Sequence, residues 1–330
     1  MGNLNRRTVL AAGSAASVVA ATGTALAQAP AAAPKPREKG PRVWLDLDQQ
    51  ELDDAYDQSK YAANLQQVVK RYASNSAQVR ERLGAPKRLA YGPTPVEGLD
   101  LYTAKQPNAP VHIFIHGGTW RTGRATDYLF PAETFLHAGA HYVSLDFTSV
   151  LDVKGDLAPM ADQVRRAVAW IHRNAASFGG DPNRLYLSGH SSGGHLAGVV
   201  LVTDWEKDYG VPKDVLKGGL CCSGMFDMKA VMLSARSNYL KMSDATLDAM
   251  SAQRHLDKIN CPVIVAYGSL ETPEFQRQSR DFVAAAKAAG KPVSLLVAEG
   301  YNHFEIIELL ANPYGLLGRA ALEQMKLAPV

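Results

Sequence analysis

Gly189-His190-Ser191-Ser192-Gly193 has the form G-x-S-x-G, in which two glycines flank a central serine. The motif lies between an apolar segment, Leu185–Leu187, and a run of small residues from Ser192 to about Val202. A serine at a sharp strand-to-helix turn presents its hydroxyl at the edge of a sheet, where it can attack a carbonyl carbon. The sequence therefore predicts Ser191 as the nucleophile of an acyl-transfer reaction. A glycine-rich turn with no catalytic role is the structural alternative.

A histidine and a glutamate follow the last two predicted strands, and they are the candidates to activate this serine. His303 comes just after Val293–Val297, and Glu271 comes just after Val263–Tyr267. The order serine, acid, histidine is the chain order of the α/β-hydrolase fold. Glu274 competes for the role of the acid, but its place in the first turn of a predicted helix is a sufficient structural explanation. We predict Ser191, Glu271 and His303 as the catalytic residues.

The segment after the most apolar predicted strand supplies backbone donors. His116-Gly117-Gly118-Thr119-Trp120 follows Val111–Ile115, and its glycines allow the main chain to approach a reacting group. Acyl transfer needs N–H groups aimed at the oxygen that becomes negative. The predicted oxyanion hole consists of the N–H groups of Gly118, Thr119 and Ser192. The predicted substrate pocket is lined by His116, Gly117, Trp120 and His190.

Two of these residues also have a purely structural interpretation. His116 is equally suited to tie down its own loop, and Trp120 to fill the core. The histidines and carboxylates show no convincing metal-binding spacing, so we predict no metal and no cofactor.

Short apolar strands alternate with amphipathic helices from about Arg88 onward. This alternation is typical of a mainly parallel sheet with helices on both faces. The other predicted strands are Leu101-Tyr102, Tyr142–Phe147 and Leu220–Cys222, and helices are predicted over Val164–Ala175, from Ser192, from Thr272 and from about Phe304. Residues 226–260 predict a small helical cap, and residues 52–83 show the helical pattern of an N-terminal extension over 42–87. We expect one α/β-hydrolase domain over residues 42–330.

The composition argues for a small-molecule substrate. The 330 residues are 46% hydrophobic and 20% charged, with a net charge of +3, which excludes a disordered or collagen-like chain. A near-neutral surface gives no electrostatic basis for binding nucleic acid or for stable association with anionic membranes. Cys221, Cys222 and Cys261 are too few for a disulfide scaffold, and the first two are expected in a buried strand. The oligomeric state stays open.

The N-terminus has the features of an export signal. Arg6-Arg7 precedes a weakly apolar run, Ala11–Ala25, which ends in Ala25-Leu26-Ala27. A twin-arginine signal peptide over residues 1–27, cleaved after Ala27, is predicted, and the protein is expected in the periplasm. The run is too polar for a membrane-spanning helix. Residues 28–41 are rich in Ala and Pro and predict a linker.

Several segments together resemble kynurenine formamidase (arylformamidase) and its esterase relatives within the α/β-hydrolases, over roughly Asp53 to Arg319. The segments are His116–Trp120, GHSSGGHLA from Gly189, Thr203-Asp204-Trp205, Ser223–Asp227, GSLETPEFQRQS from Gly268 and NHFEIIE from Asn302. The resemblance implies the roles given above for Ser191, Glu271 and His303, and an oxyanion hole at Gly118 and Thr119. Thr119 stands where the family often has an aromatic residue, and Glu271 where it often has Asp.

The sequence thus predicts a cofactor-independent serine hydrolase that cleaves small, aromatic esters or N-formyl amides. Three alternatives remain open at this point: an arylformamidase acting on N-formylkynurenine, a peptidase, and a non-catalytic binding protein with the hydrolase fold. The binding protein is disfavoured because it has no need of a complete triad with an oxyanion loop.

Overall fold

The computed structural model describes residues 37–329, and the first elements within that range are a short hairpin and two helices. Strands β1 (Arg42–Trp44) and β2 (Leu47–Asp48) pair in antiparallel fashion, and α1 (Gln49–Ala55) and α2 (Leu65–Leu83) follow. Asp48 and Glu51 form a reciprocal capping box, which fixes the start of α1. The helical pattern predicted over 52–83 is confirmed in most of its length. The extension is not helical throughout, because residues 42–48 form the hairpin and a 3-10 turn separates α1 from α2.

The remaining strands form one eight-stranded sheet within the described residues. In chain order they are β3 (Lys87–Ala90), β4 (Gly98–Tyr102), β5 (Ala109–Ile115), β6 (His141–Leu145), β7 (Gly180–His190), β8 (Leu216–Cys222), β9 (Val263–Gly268) and β10 (Val293–Ala298). Their order across the sheet is β10-β9-β8-β7-β5-β6-β4-β3. The six strands from β10 to β6 are parallel; at one edge β4 pairs antiparallel with β6, and β3 pairs antiparallel with β4. The predicted mainly parallel sheet is confirmed, and β3 is a strand that the sequence did not predict.

Helices cover both faces of this sheet. Beyond α2 they are α3 (Ala132–His137), α4 (Ala158–Asn174), α5 (Ser192–Leu201), α6 (Trp205–Tyr209), α7 (Met228–Leu233), α8 (Asp244–Ala249), α9 (Pro273–Ala288) and α10 (Leu316–Gln324). Side chains of β5 alternate between two cores: Val111 and Ile113 belong to the cluster that includes residues of α4 and α9, whereas Phe114 belongs to the cluster that includes residues of α2, α3 and α10. The predicted helices on both faces of the sheet are confirmed.

Two further expectations were tested by the structure. Residues 226–260 contain α7, α8 and short 3-10 turns, and no strand, which agrees with the predicted helical cap. The helix predicted from about Phe304 is wrong: a 3-10 helix occupies Ile306–Ala311, and α10 begins only at Leu316. Pro313, which has no backbone N–H and clashes with the preceding turn, prevents a continuous helix.

Residues from Gly40 onward form one compact unit. The predicted signal peptide, 1–27, and most of the predicted linker, 28–41, lie outside the described residues. Cys221 and Cys222 lie in β8 and Cys261 just before β9, and all three are buried free thiols. None of the helices in residues 37–329 combines the length and apolarity needed to cross a membrane.

Candidate active site

Ser191 lies at the sharp turn between β7 and α5. Its φ of 58° and ψ of −122° belong to a backbone region that costs a non-glycine residue roughly 1–3 kcal/mol. The flanking glycines make the turn possible. A Cβ on Gly189 would lie 2.1 Å from the carbonyl oxygen of Gly193, and a Cβ on Gly193 would lie 2.1 Å from that of Ile115. The G-x-S-x-G pattern is therefore a steric requirement of this elbow.

The structure brings Ser191, His303 and Glu271 into one hydrogen-bonded chain. The Ser191 hydroxyl lies 2.9 Å from Nε2 of His303, and Nδ1 of the same ring lies 2.8 Å from Oε2 of Glu271. The carboxylate can only accept, so Nδ1 carries the ring proton and Nε2 is free to accept from the serine. Their exposures are 7% for Ser191, 3% for His303 and 1% for Glu271. This arrangement can transfer a proton from the serine to the histidine.

The carboxylate of Glu271 is held by two more donors. The Ser223 hydroxyl donates to Oε1 at 2.6 Å, and the Gly268 N–H donates to the same oxygen at 2.7 Å. Ser223 follows β8 and has a φ of 53°. We did not predict a role for it, although its position just after a parallel strand, at the same edge as Ser191, is a signal that could have found it. Glu274, the competitor, bonds instead to Tyr56 at 2.9 Å and to Arg277 at 2.5 Å.

The loop after β5 has an irregular backbone beside the serine. Gly118, Thr119 and Trp120 have φ angles of 117°, 56° and 61°, so three successive residues are left-handed. Gly117 permits close approach, because a Cβ there would lie 2.9 Å from the carbonyl oxygen of His190 and 3.1 Å from Cβ of Ser191. Within residues 37–329, the N–H groups of Gly118 and Thr119 donate to no backbone carbonyl. The oxyanion hole predicted at these groups and at the N–H of Ser192, which begins α5, stays a prediction.

Two histidines near the serine serve as structural supports. His190 donates from Nε2 to the carbonyl oxygen of His303 at 2.7 Å, and burial together with neighbouring His303 lowers the pKa of His190 well below its usual range. His116 donates from Nδ1 to the Gly117 carbonyl at 2.8 Å, and its ring stacks on Phe147 with a centroid distance of 4.3 Å. Burial lowers the pKa of His116 as well. Each ring donates one hydrogen bond to a main-chain carbonyl, and through that bond His116 ties down its own loop.

A cavity of about 680 Å³ opens in front of Ser191 and His303. Of the four residues predicted to line the substrate pocket, only His190 does so. His116, Gly117 and Trp120 do not line the cavity, which corrects the prediction for these three residues. The His116 ring lies between aromatic side chains, Gly117 packs against the elbow, and the left-handed backbone of Trp120 directs its indole into the interior, where it is 2% exposed. Gly118 and Thr119 do line the cavity.

Much of the cavity lining comes from two segments that are distant in the chain, residues 53–73 and 234–239, which we together call the cavity wall. Its aromatic members are Tyr56, Tyr72 and Tyr239, and Tyr128 and Phe304 complete the aromatic lining. Arg236 also lines it, donating to the Tyr56 carbonyl at 2.8 Å and to the Tyr239 hydroxyl at 3.1 Å. Sequence reasoning assigned none of these residues to the site, because no motif links the two segments. Among residues 37–329 no group of three or more His, Cys, Asp or Glu side chains could hold a metal ion.

The fold and the site define an α/β-hydrolase, with a serine elbow at the carboxyl edge of a mainly parallel sheet. The BD-FAE family model matches residues 99–285, more than half of the chain, and the chain belongs to this family. It is 30% identical to kynurenine formamidase of Danio rerio, over 86% of this chain and 98% of the relative. It is 29% identical to kynurenine formamidase of Salmo salar, over 82% and 94% of the two chains.

Solved structures show the same fold. An esterase from Pyrobaculum calidifontis is 16% identical, with a TM-score of 0.63 over 84% of this chain and 97% of that one. A crystal structure from Silicibacter sp. has a TM-score of 0.73 at 24% identity, covering 82% and 98%. With its family established, the protein is an enzyme, a hydrolase of small ester or amide substrates.

Proposed function

We propose that the protein is a serine hydrolase that cleaves small, aromatic carboxylic esters or N-formyl amides through an acyl-enzyme intermediate. The observation that carries the proposal is the chain of hydrogen bonds from Ser191 through His303 to Glu271, at 2.9 and 2.8 Å. A purely structural role for this turn would not require its strained serine to face a histidine that a buried carboxylate orients. No cofactor enters the mechanism.

In the first half of the reaction, Nε2 of His303 takes the proton of Ser191 as Oγ bonds to the carbonyl carbon. The carbonyl oxygen becomes negative and accepts hydrogen bonds from the N–H groups of Gly118, Thr119 and Ser192. The imidazolium is stabilised by Glu271. When the tetrahedral intermediate collapses, His303 gives its proton to the leaving alcohol or amine, and the acyl group stays on the serine.

In the second half, His303 removes a proton from water, which attacks the acyl carbon. Collapse of this intermediate returns the proton to Ser191 and releases the carboxylic acid, which is formate when the substrate is an N-formyl amide. The aromatic side chains of the cavity support the preference for aromatic substrates, since flat rings pack well against Tyr56, Tyr72 and Tyr128.

Hydrolysis of p-nitrophenyl acetate, p-nitrophenyl butyrate and N-formylkynurenine tests the proposal. The chain from Gln28 onward is compared with Ser191→Ala, which should lower kcat by roughly 10⁴-fold or more. Ser192→Ala is the matched control, because it keeps the backbone N–H and should stay within about threefold of wild type. Equal turnover by wild type and Ser191→Ala, with no labelling of Ser191 by a fluorophosphonate, would refute the serine mechanism.

Arylformamidase activity on N-formylkynurenine is the second candidate. It is favoured by the 30% identity to the Danio rerio kynurenine formamidase over 86% of the chain. A kcat/KM for N-formylkynurenine at least tenfold above that for either ester would favour it over a general esterase. A value below both esters would count against it.

The proposed place of action is the periplasm, on the basis of Arg6-Arg7 and the small-residue site at Ala25-Leu26-Ala27. Cell fractionation with N-terminal sequencing should give a periplasmic protein that begins at Gln28. Replacing both arginines by lysine should retain the full-length protein in the cytoplasm. Equal export of the two forms would contradict the twin-arginine route.

A further inference from the structure

The loop that carries the Gly118 and Thr119 N–H groups needs support from outside itself. Two of its three left-handed residues, Thr119 and Trp120, are not glycine, and each costs roughly 1–3 kcal/mol in that conformation. Such a backbone persists only when the surroundings fix it. On the main chain, the Trp120 carbonyl accepts from the Val150 N–H at 2.8 Å. On the side chain, the indole N–H of Trp120 donates to Nδ1 of His195 at 3.1 Å.

His195 lies one turn after the proposed nucleophile and is fully buried. Its backbone N–H donates to the Ser191 carbonyl at 2.9 Å, and its Nε2 lies 2.9 Å from the carbonyl oxygen of Met250 in the cap. The Met250 carbonyl can only accept and the Trp120 indole can only donate, so the ring must carry its proton on Nε2 and a lone pair on Nδ1. Burial lowers the pKa of His195 to about 4, which keeps this neutral form in place at ordinary pH.

The ring therefore joins three parts of the site: the elbow helix α5, the oxyanion loop through Trp120 and the cap through Met250. Trp120 is 2% exposed, and the two rings meet edge to face at a centroid distance of 5.3 Å with an interplanar angle of 86°. A buried imidazole needs partners wherever it lies, and here its two partners lie on the oxyanion loop and on the cap. Both of its ring nitrogens are used here.

We propose that His195 is a positioning residue for the oxyanion hole, holding the Gly118 and Thr119 N–H groups in register with Ser191 by accepting the indole hydrogen bond of Trp120. The role rests on the proposed serine mechanism. It predicts that the Nδ1 side of the ring controls turnover, whereas the Nε2 side mainly anchors the cap.

Two substitutions separate the two sides of the ring. His195→Asn places an amide oxygen near the position of Nδ1 and keeps the acceptor for Trp120. His195→Gln places an amide nitrogen near the position of Nε2 and keeps the donor to Met250, but it removes that acceptor. Removing one oxyanion donor outright costs about 10²- to 10³-fold in kcat, so a displaced loop should cost roughly 10- to 100-fold.

We expect His195→Gln to lower kcat for p-nitrophenyl acetate by roughly 10- to 100-fold with KM within about threefold, and His195→Asn to restore most of the activity. Trp120→Phe, which removes the indole N–H, should reproduce the loss. The double variant His195→Gln/Trp120→Phe should be no slower than the slower single variant, since both remove the same bond. Thermal melts establish that each variant is folded.

Equal losses in His195→Asn and His195→Gln, or additive losses in the double variant, would overturn the positioning role. If His195→Gln does not fold, Trp120→Phe alone decides. An unchanged kcat in folded Trp120→Phe would also overturn the positioning role of His195. Failure of the proposed function gives a different result: wild type itself would hydrolyse none of the esters and Ser191 would not react with a fluorophosphonate.

Discussion

Ser191, Glu271 and His303 follow β7, β9 and β10, and we call these three residues the strand edge. The strand edge and the cavity wall differ in burial and in the chain segments that form them. These three side chains are at most 7% exposed, and each is held by hydrogen bonds from neighbouring strand ends. The cavity wall includes exposed side chains, such as Val69 at 43%, and it combines segments 53–73 and 234–239, which are far apart in the chain. A rigid sheet edge suits proton transfer, and a peripheral wall suits recognition of the substrate.

This contrast predicts that changes at the strand edge lower kcat whatever the substrate, whereas changes in the wall alter which substrates react. Three of the following four experiments would break or refine that division, and the remaining one concerns stability in acid.

The largest effect is expected from Glu271→Gln. The amide can donate to the ring and favour the wrong tautomer of His303, so kcat should fall by roughly 10³- to 10⁴-fold for every substrate. Glu274→Gln is the matched control, because Glu274 lies three residues away, is also buried, and contacts Tyr56 and Arg277 instead. It should lower the free energy of unfolding by about 1–3 kcal/mol with kcat within a few fold. Similar losses of kcat in both variants would show that Glu271 has no special role.

Acid should destabilise the protein through two buried histidines, His112 in β5 and His195 in α5. Burial lowers the pKa of His112 to about 3 and that of His195 to about 4, whereas an unfolded histidine titrates near 6.5. Unfolding therefore takes up protons below pH 6.5, and stability that is complete above that pH is lost as the pH falls toward the folded values. Each ring should cost about 1.5 kcal/mol between pH 6.5 and pH 5. Urea unfolding at the two pH values measures the loss, and equal unfolding free energies would contradict it.

A bulky side chain in the wall should change selectivity. Ala73 is exposed on α2 and lines the cavity, so Ala73→Trp narrows the space without disturbing the core. We expect kcat/KM for p-nitrophenyl butyrate or a larger aromatic ester to fall roughly tenfold, with that for p-nitrophenyl acetate within about threefold. Ser74→Trp, on the same helix outside the cavity lining, is the control and should leave the ratio unchanged. A uniform loss on all esters would mean that the wall also supports the chemistry.

An effect of about the same size is expected from Ser223→Ala. The variant removes one of the two additional donors to Oε1 of Glu271 and leaves the Gly268 N–H in place. Loss of a hydrogen bond to a charged group is worth about 1.5 kcal/mol, so kcat should fall by roughly tenfold. Ser223→Thr, which keeps the hydroxyl, should recover part of it unless its added methyl group clashes at this left-handed residue. An unchanged kcat in Ser223→Ala would show that Gly268 alone holds the carboxylate.

Most of the fold and the order of the chemical residues could be predicted from local patterns. Continuous apolar strands, the glycines around Ser191, and the loops holding Glu271 and His303 are each encoded within about ten residues, because strand and turn preferences are short-range. The hairpin β1–β2 and the short edge strand β3 were missed because they carry little apolar pattern. The pocket prediction failed at Trp120 for a related reason, since its direction depends on left-handed backbone angles that residue types alone do not specify.

The sequence by itself determined that a serine elbow, an acid and a histidine would follow successive strands of a parallel sheet, because parallel strands bring their carboxyl ends to one edge. Only the tertiary structure decided that α2 and the cap would line the same cavity, that Ser223 would support Glu271, and that His195 would accept the Trp120 indole. These contacts join residues 48 to more than 160 positions apart, and they depend on side-chain packing over the whole domain, which no local pattern records.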